Sequence, residues 1–125
     1  MSEEHGRATL PRTARLLERS GYEAVLAGKP LVVRRHFSIF VHANALSRSR
    51  IGIIVGKKVA PRAVDRNRIK RLAREIFRQE RWRLGSNDLV VLARRCPQRG
   101  NWELARAELA AVLAQFAQRA SPGGT

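Results

Sequence analysis

Residues 57–78 read KKVAPRAVDRNRIKRLAREIFR, and this stretch decides the fold of the middle of the chain. Nine of its residues are Lys or Arg and two are acidic, a net of seven positive charges. At about 100° per residue, its apolar side chains fall on one side of a helix and most of its cations on the other. The stretch therefore predicts an amphipathic helix with one buried side. The predicted buried side consists of Val64, Ile69, Leu72, Ala73, Ile76 and Phe77.

The segments before this helix predict a short helix and two strands. Residues 22–27 form the helix, and the Val-, Ile- and Phe-rich run 31–41 is strand-like. A second strand, 50–56, follows the polar residues 44–49, which we expect to form the loop of a hairpin.

The segments after the charged helix predict a strand and a last helix. Residues 88–94 are an almost continuous apolar run, which is typical of a strand inside a sheet. Asn101 is placed to cap the helix that follows. Its predicted core side chains are Leu104, Leu109, Val112, Leu113 and Phe116. The order α-β-β-α-β-α predicts an α+β fold, a two-layer sandwich of one sheet with helices on it.

The length and composition indicate one globular domain over residues 1–125, with mobile ends at 1–12 and 117–125. No apolar run has membrane-spanning length, and the first residues lack the apolar core of a signal peptide. A single cysteine, Cys96, excludes an internal disulfide and suits the reducing cytoplasm. One cysteine and three scattered histidines match no zinc spacing, so no bound metal is expected.

The net charge of +15 and the pI near 11.8 predict a polyanionic partner. Nucleic acid is the commonest such partner, and composition does not separate DNA from RNA. A membrane surface is a weaker alternative, because the basic segments are not flanked by a large apolar face.

No catalytic residue is identified in the protein itself. The ten acids are scattered, without a close pair that could hold two metal ions. Asp65 and Glu75 lie ten positions apart and are more simply partners of nearby arginines. Cys96 has three arginines close in sequence, which could lower its pKa, but a buried thiol is the simpler interpretation. The residues alone indicate a binding protein.

The charged helix favours RNA binding over a merely solvated surface. Arg66, Lys70 and Arg74 recur every four residues and form one ridge, and Asn67 beside them can donate and accept. Seven net charges without a matching acidic face would repel one another unless a polyanion were bound. Farther upstream, Phe40 either packs under a loop or is exposed on a binding face, and the alternation of its strand leaves both possible.

The string Arg66-Asn67-Arg68-Ile69-Lys70-Arg71-Leu72 resembles the RNR signature of the bacterial ribonuclease P protein component family. The similarity covers residues 14–95. It includes Arg50-Ile51-Gly52 and Val55-Gly56-Lys57-Lys58-Val59 before the signature, and 73–78 after it.

The resemblance implies the protein subunit of a ribonucleoprotein endonuclease that removes the 5′ leader from precursor tRNA. It implies a 1:1 complex with a catalytic RNA that holds the magnesium ions and performs the chemistry, so the protein alone is not expected to be catalytic. No further protein partner and no membrane are expected. The family's fold has a left-handed βαβ crossover around the RNR helix.

Two sets of site residues follow from the resemblance. A cleft between the first helix and the sheet is expected to hold the single-stranded leader, with Tyr22, Ser38 and Phe40 at the matching positions. Leu26 stands where many members have a second aromatic residue, and Ser38 is smaller than usual, so fewer stacking contacts are expected. The residues expected to contact the RNA subunit are Lys57, Lys58, Arg62, Arg66, Asn67, Arg68, Lys70, Arg71 and Arg74.

Three alternatives compete with this interpretation. A ribosomal or other structured-RNA protein would show a similar helix but would not need the Tyr22 and Phe40 cleft. A DNA-binding helix-turn-helix is disfavoured, because a strand precedes the basic helix and no partner helix lies a short turn away. An autonomous protein nuclease would need an acid cluster.

Overall fold

The structure, a computed structural model, describes residues 19–120. The helices and strands, in chain order, are α1 (Arg19–Leu26), β1 (Val32–Val33), β2 (Phe37–Ala43), β3 (Arg50–Ile54), α2 (Ala63–Glu80), β4 (Asn87–Ala93) and α3 (Trp102–Ala120). A 3-10 turn, Arg81–Arg83, follows α2. The mobile ends predicted at 1–12 and 121–125 lie outside the described residues, whereas 117–120 form the end of α3.

The four strands form one sheet in the order β1-β2-β4-β3. β4 is antiparallel to β2 and parallel to β3, so the predicted interior position of β4 is confirmed. The predicted hairpin between β2 and β3 is wrong, because β4 lies between them. β4 is apolar on both faces, and a strand of that kind is most stable with a neighbour on each edge. The β3-α2-β4 unit joins parallel strands through α2, and its left-handed crossover stays a prediction.

A hairpin does occur, within the run predicted as a single strand at 31–41. Val33 pairs with Ser38, and the Arg34 N–H donates to the Phe37 carbonyl at 2.8 Å. Residues 34–36 form the turn, and the apolar residues on either side of it pair with each other.

Helices cover both faces of the sheet. On one face, Phe37, Ile39 and Val91 pack with the buried stripes of α2 and α3. On the other, Val25 of α1 packs on Val90 of β4. The α+β class is confirmed, but the two-layer description is incomplete. The second face of β4 is also apolar, and α1 forms a short third layer over it.

Two residues predicted to be in the core are exposed. Val64 is 58 % exposed and Leu104 is 63 % exposed. The buried stripe of α2 runs from Ile69 to Phe77, and Val64 lies about 140° around the helix from Ile69. In α3 the stripe begins at Ala105, about 100° from Leu104. Among residues 19–120, no helix combines the length and apolar character needed to cross a membrane.

Candidate nucleic-acid interface

The buried stripe of α2 determines where its cations point. Ile69, Ala73 and Phe77 are fully buried against the sheet and α3, so the opposite side of the helix faces outward. The nine residues predicted to contact RNA lie on α2 or on the segment just before it, and we call them the basic face. Its exposed members are Lys57, Lys58, Arg62, Asn67, Arg68 and Arg71. Its half-buried members are Arg66, Lys70 and Arg74.

Arg66 has a structural role as well as a predicted binding role. Its Nη1 group donates to the carbonyls of Ala60 and Pro61, both at 2.9 Å. These bonds hold the segment that enters α2, at a helix start where the Arg62 side chain makes no capping bond. A guanidinium has five N–H donors, so the remaining three can still reach a phosphate.

Both acids of the stretch pair with arginines, but the predicted partner close in sequence is confirmed only for Asp65. The Asp65 carboxylate lies 3.9 Å from Arg62 Nε in an exposed pair. Glu75 accepts a 2.8 Å bond from Arg106 of α3, a partner that sequence proximity does not suggest. At about 100° per residue, Glu75 lies roughly 100–180° around the helix from the ridge formed by Arg66, Lys70 and Arg74.

The predicted leader cleft lies on the other face of the sheet, under α1. Tyr22 and Phe40 are half-buried in the cluster around Val25 and Val90, whereas Ser38 is buried. The sequence left open whether Phe40 packs in the interior or is exposed on a binding face. In the structure, one part of its side chain packs in the cluster and another part is accessible. The burial of Ser38 restricts what it can contact directly.

A partly buried ion pair lies at the end of this same sheet face. Arg50 donates through Nε and Nη2 to the two carboxylate oxygens of Asp88, at 2.8 and 2.7 Å, and Asn44 Nδ2 donates to Oδ1 at 2.8 Å. Burial by itself raises the pKa of Asp88, but the hydrogen bonds from Arg50 and Asn44 outweigh it and hold the pKa below the usual aspartate range. The pair was not foreseen, because Arg50 and Asp88 become neighbours only through the β3–β4 register.

A second buried contact joins the sheet to α3. His36 is buried and donates its backbone N–H to Glu108 Oε2 at 2.9 Å, and its Nδ1 lies 3.0 Å from Oε1. The two residues are far apart in the chain, so the sequence carried no signal for this contact. It fixes the β1–β2 turn against α3.

The environment of Cys96 does not activate its thiol. Burial raises the pKa of the Cys96 thiol, and Asp65 adds to the effect although Arg62 opposes it. A raised pKa favours the inert thiol over the activated one. Within residues 19–120, no three His, Cys, Asp or Glu side chains converge in a way that could hold a metal ion.

The sequence also failed to identify Trp102 as part of this surface. The Arg68 guanidinium lies 4.0 Å from the centre of the Trp102 ring, at the start of α3. Trp102 lies far from the RNR string in sequence, and only the packing of α3 on α2 brings them together.

Comparisons with known proteins agree with the motif and the fold. The family model for ribonuclease P matches residues 10–117. The chain is 40% identical over 111 residues to the ribonuclease P protein component of Thioalkalivibrio sulfidiphilus, covering 89% of each. It is 42% identical over 81 residues to that of Ralstonia pickettii, covering 65% of this chain and 58% of that protein.

Two solved structures show the same fold. The RNase P protein of Staphylococcus aureus has a TM-score of 0.70 at 27% identity, covering 84% of this chain and 95% of that one. The protein from Thermotoga maritima has a TM-score of 0.67 at 29% identity, covering 81% and 96%. With the RNR string inside the matched region and the basic face on its surface, the chain belongs to the ribonuclease P protein component family, the protein subunit of the endoribonuclease that processes tRNA 5′ ends.

Proposed function

We propose that this chain binds the catalytic RNA of ribonuclease P, one protein to one RNA, through the basic face of α2. The observation that carries the proposal is a dense set of cations on a helix whose opposite side is buried in the core. The buried side fixes the helix in place, so the backbone positions of its arginines keep a constant arrangement. The expected cytoplasmic location stays a prediction.

The chemistry of the basic face suits a folded RNA. Arginine guanidinium groups form paired bonds to phosphate and stack on bases. Arg66, Lys70 and Arg74 lie on successive turns about 6 Å apart, so they can follow a phosphate backbone. If roughly six cations each neutralise one phosphate, the logarithm of affinity falls with the logarithm of salt at a slope of about −4 to −5.

The magnesium chemistry belongs, in this proposal, to the RNA subunit. Magnesium in proteins prefers carboxylate and other oxygen ligands. Among the described acids, Glu75 pairs with Arg106 and Asp88 with Arg50. Within residues 19–120, no three acid, His or Cys side chains converge on a point that could hold a metal ion. The protein's contribution is to bind and position RNA.

The leader of precursor tRNA is proposed to bind in the cleft between α1 and the sheet. Tyr22 and Phe40 are half-buried there, which holds their rings while leaving part of each accessible. Stacking of an unpaired base on an aromatic ring is worth about 1–3 kcal/mol. Leu26 is aliphatic and Ser38 is buried, so two aromatic side chains carry the contact.

The activity is tested by adding the protein to precursor tRNA with and without a ribonuclease P RNA at low magnesium. Leader cleavage should require the RNA and increase with the protein. Cleavage by the protein alone, or no increase in its presence, would contradict the proposal.

Two variants test the two surfaces separately. Arg71 is exposed on the basic face, so Arg71→Ala should weaken binding to the RNA subunit several-fold and reduce the salt slope by about 1. The control is Arg119→Ala, which removes an exposed arginine at the C-terminal end of α3, away from the basic face of α2 in the chain.

Phe40→Leu tests the leader cleft, because it removes the ring but keeps an apolar side chain. It should weaken binding of leader-bearing tRNA but not of mature tRNA. Equal losses for both tRNAs would rule out the cleft assignment.

A further inference from the structure

The first turns of α2 and α3 and the loop at 97–100 border an open cleft of about 750 Å³. Small-ligand sites typically have volumes of about 300–1,000 Å³. The cleft continues the basic face, since it is lined by Arg68 of α2 and by Arg62 just before that helix. Its opposite wall comes from outside α2, with Arg99 in the loop and Trp102 at the start of α3. We call it the Trp102 cleft.

Arg68 and Trp102 form a stacked pair in this cleft. The exposed Arg68 guanidinium lies over the Trp102 ring at 4.0 Å, and the ring is partly buried against the core cluster. A cation–π contact at an exposed site is worth about 0.5–1 kcal/mol, which favours this position of the arginine. Unpaired RNA bases stack on guanidinium groups as well as on aromatic rings. Because the contact already restricts the side chain, less conformational entropy is lost when a base binds.

The charge of the Trp102 cleft fits one nucleotide. Arg62, Arg68 and Arg99 line it together with two acids, Asp65 and Glu103, which leaves one net positive charge. A single nucleotide carries one phosphate charge in a chain. The pair between Arg62 and Asp65 is long, at 3.9 Å, and exposed, so little free energy opposes its opening toward a phosphate. The carboxylates can accept hydrogen bonds from the amino group of a base.

We infer that the Trp102 cleft binds a single unpaired nucleotide of the RNA subunit. Its base stacks on the Arg68–Trp102 pair and its phosphate lies between Arg62 and Arg99. The inference rests on the proposed function, because it assumes that α2 faces the RNA subunit. The precursor-tRNA leader is a less suitable source of this nucleotide. Its proposed binding residues, Tyr22 and Phe40, lie on the opposite face of the sheet.

The first test measures the solvent accessibility of Trp102. The chain has two tryptophans, and Trp82 is 78 % exposed, so Trp82→Phe leaves Trp102 as the sole reporter at little cost to the fold. Acrylamide quenching of Trp102 fluorescence should fall when the RNA subunit saturates the protein. It should stay unchanged with a leader oligonucleotide. Unchanged quenching with the RNA subunit, or protection by the leader alone, would overturn the inference.

The second test removes Arg99, the cleft arginine that does not belong to the basic face. Arg99→Ala should weaken binding to the RNA subunit about three- to tenfold and reduce the salt slope by about 1. Arg95→Ala is the matched control, because Arg95 is an exposed arginine of the same segment that does not line the cleft. Trp102→Leu should lower affinity roughly tenfold through lost stacking. If Trp102→Leu unfolds the protein, the inference is tested by comparing Arg99→Ala with Arg95→Ala, and a larger loss of affinity in Arg99→Ala supports it.

The outcomes separate this inference from the proposed function. If the unmodified protein binds the RNA subunit with a steep salt slope but Arg99→Ala and Arg95→Ala weaken binding equally, the Trp102 cleft is wrong and the proposed function stands. If the unmodified protein does not bind the RNA subunit, both fail.

Discussion

The ring of Tyr22 lies directly against the backbone of β3 at Gly52. A Cβ atom at this glycine would lie 2.6 Å from Tyr22 Cε2 and Cζ, closer than non-bonded atoms can approach. Glycine inside a strand ordinarily weakens the strand, because it raises the conformational entropy of the unfolded chain and has no side chain to pack. Here the missing side chain lets the Tyr22 ring rest on the sheet, which shapes the floor of the proposed leader cleft.

Gly52→Ala should therefore destabilise the protein by about 1–3 kcal/mol, because the Tyr22 ring must move. Gly56→Ala is the control, since a Cβ there meets nothing within 4 Å, and its effect should stay within about 0.5 kcal/mol. Urea unfolding measures both. In a Tyr22→Ala background most of the cost of Gly52→Ala should disappear; an unchanged cost would show that the ring is not its cause.

Asp88 links stability to pH through its pair with Arg50. Its pKa is lowered in the folded protein, so the folded state holds the charged form more strongly than the unfolded chain does. The resulting stability is fully present above the unfolded pKa of about 3.9 and is lost as the pH falls through the lower folded value.

Asp88→Asn should cost about 1–3 kcal/mol at neutral pH. The cost is below that of a fully buried pair, because the Arg50 side chain is 29% exposed. As the pH is lowered from 6 to 3, the difference in unfolding free energy between the two proteins should shrink, since the unmodified protein loses the contribution that the variant already lacks. A constant difference over this range would contradict the pKa assignment.

The helices α2 and α3 owe their positions to stripes of buried side chains. The stripe of α3 follows Ala105, Leu109, Val112 and Leu113, which recur at helical spacing and face α2 and the sheet. Small residues such as Ala105 and Ala117, both fully buried, allow close packing and are less conspicuous in the sequence than Leu104. A helix position is thus set by the whole stripe rather than by its most apolar members.

A pair of leucines in α3 provides a matched test of this stripe. Leu109 is fully buried and Leu104 is 63 % exposed. Leu109→Ala should destabilise the protein by about 2–5 kcal/mol, because it leaves a cavity. Leu104→Ala should change stability by less than about 0.5 kcal/mol. Chemical denaturation of the two variants measures the difference, and similar costs would show that the register of α3 is wrong.

The whole molecule carries a formal charge of +15, which the free protein must tolerate without its proposed partner. Like charges repel, and this repulsion destabilises a compact state. Salt screens exposed charges beyond about 10 Å at 0.1 M. The repulsion among the exposed cations should therefore weaken as salt is added.

Raising NaCl from low to moderate concentration should increase the thermal midpoint by a few degrees, since about 1 kcal/mol corresponds to roughly 4–6 °C in a domain of this size. The control is the double variant Lys58→Glu and Arg71→Glu, which lowers the formal charge by four, from +15 to +11, at two exposed positions. The increase in thermal midpoint with NaCl should be smaller in this double variant than in the unmodified protein. A midpoint that falls with salt, or rises equally in both proteins, would contradict the repulsion argument.

Local pattern alone determined much about this protein. The amphipathic spacing of residues 69–78 predicted both a buried stripe and an outward basic face, because a helix places every third and fourth residue on one side. The same spacing was wrong for Val64, which is exposed. The apolar run at 88–94 predicted a central strand for a similar reason. The RNR string, with its flanking residues, indicated the family.

Only the tertiary structure decided which elements are neighbours. The hairpin predicted between β2 and β3 failed, since strand pairing depends on the competition among all strands for the edges of β4. The same long-range packing brings Arg50 to Asp88, His36 to Glu108 and Arg68 to Trp102. Sequence periodicity reports which side of an element is buried, because burial acts on each residue locally. It does not report which other element covers that side, because that depends on the packing of the whole chain.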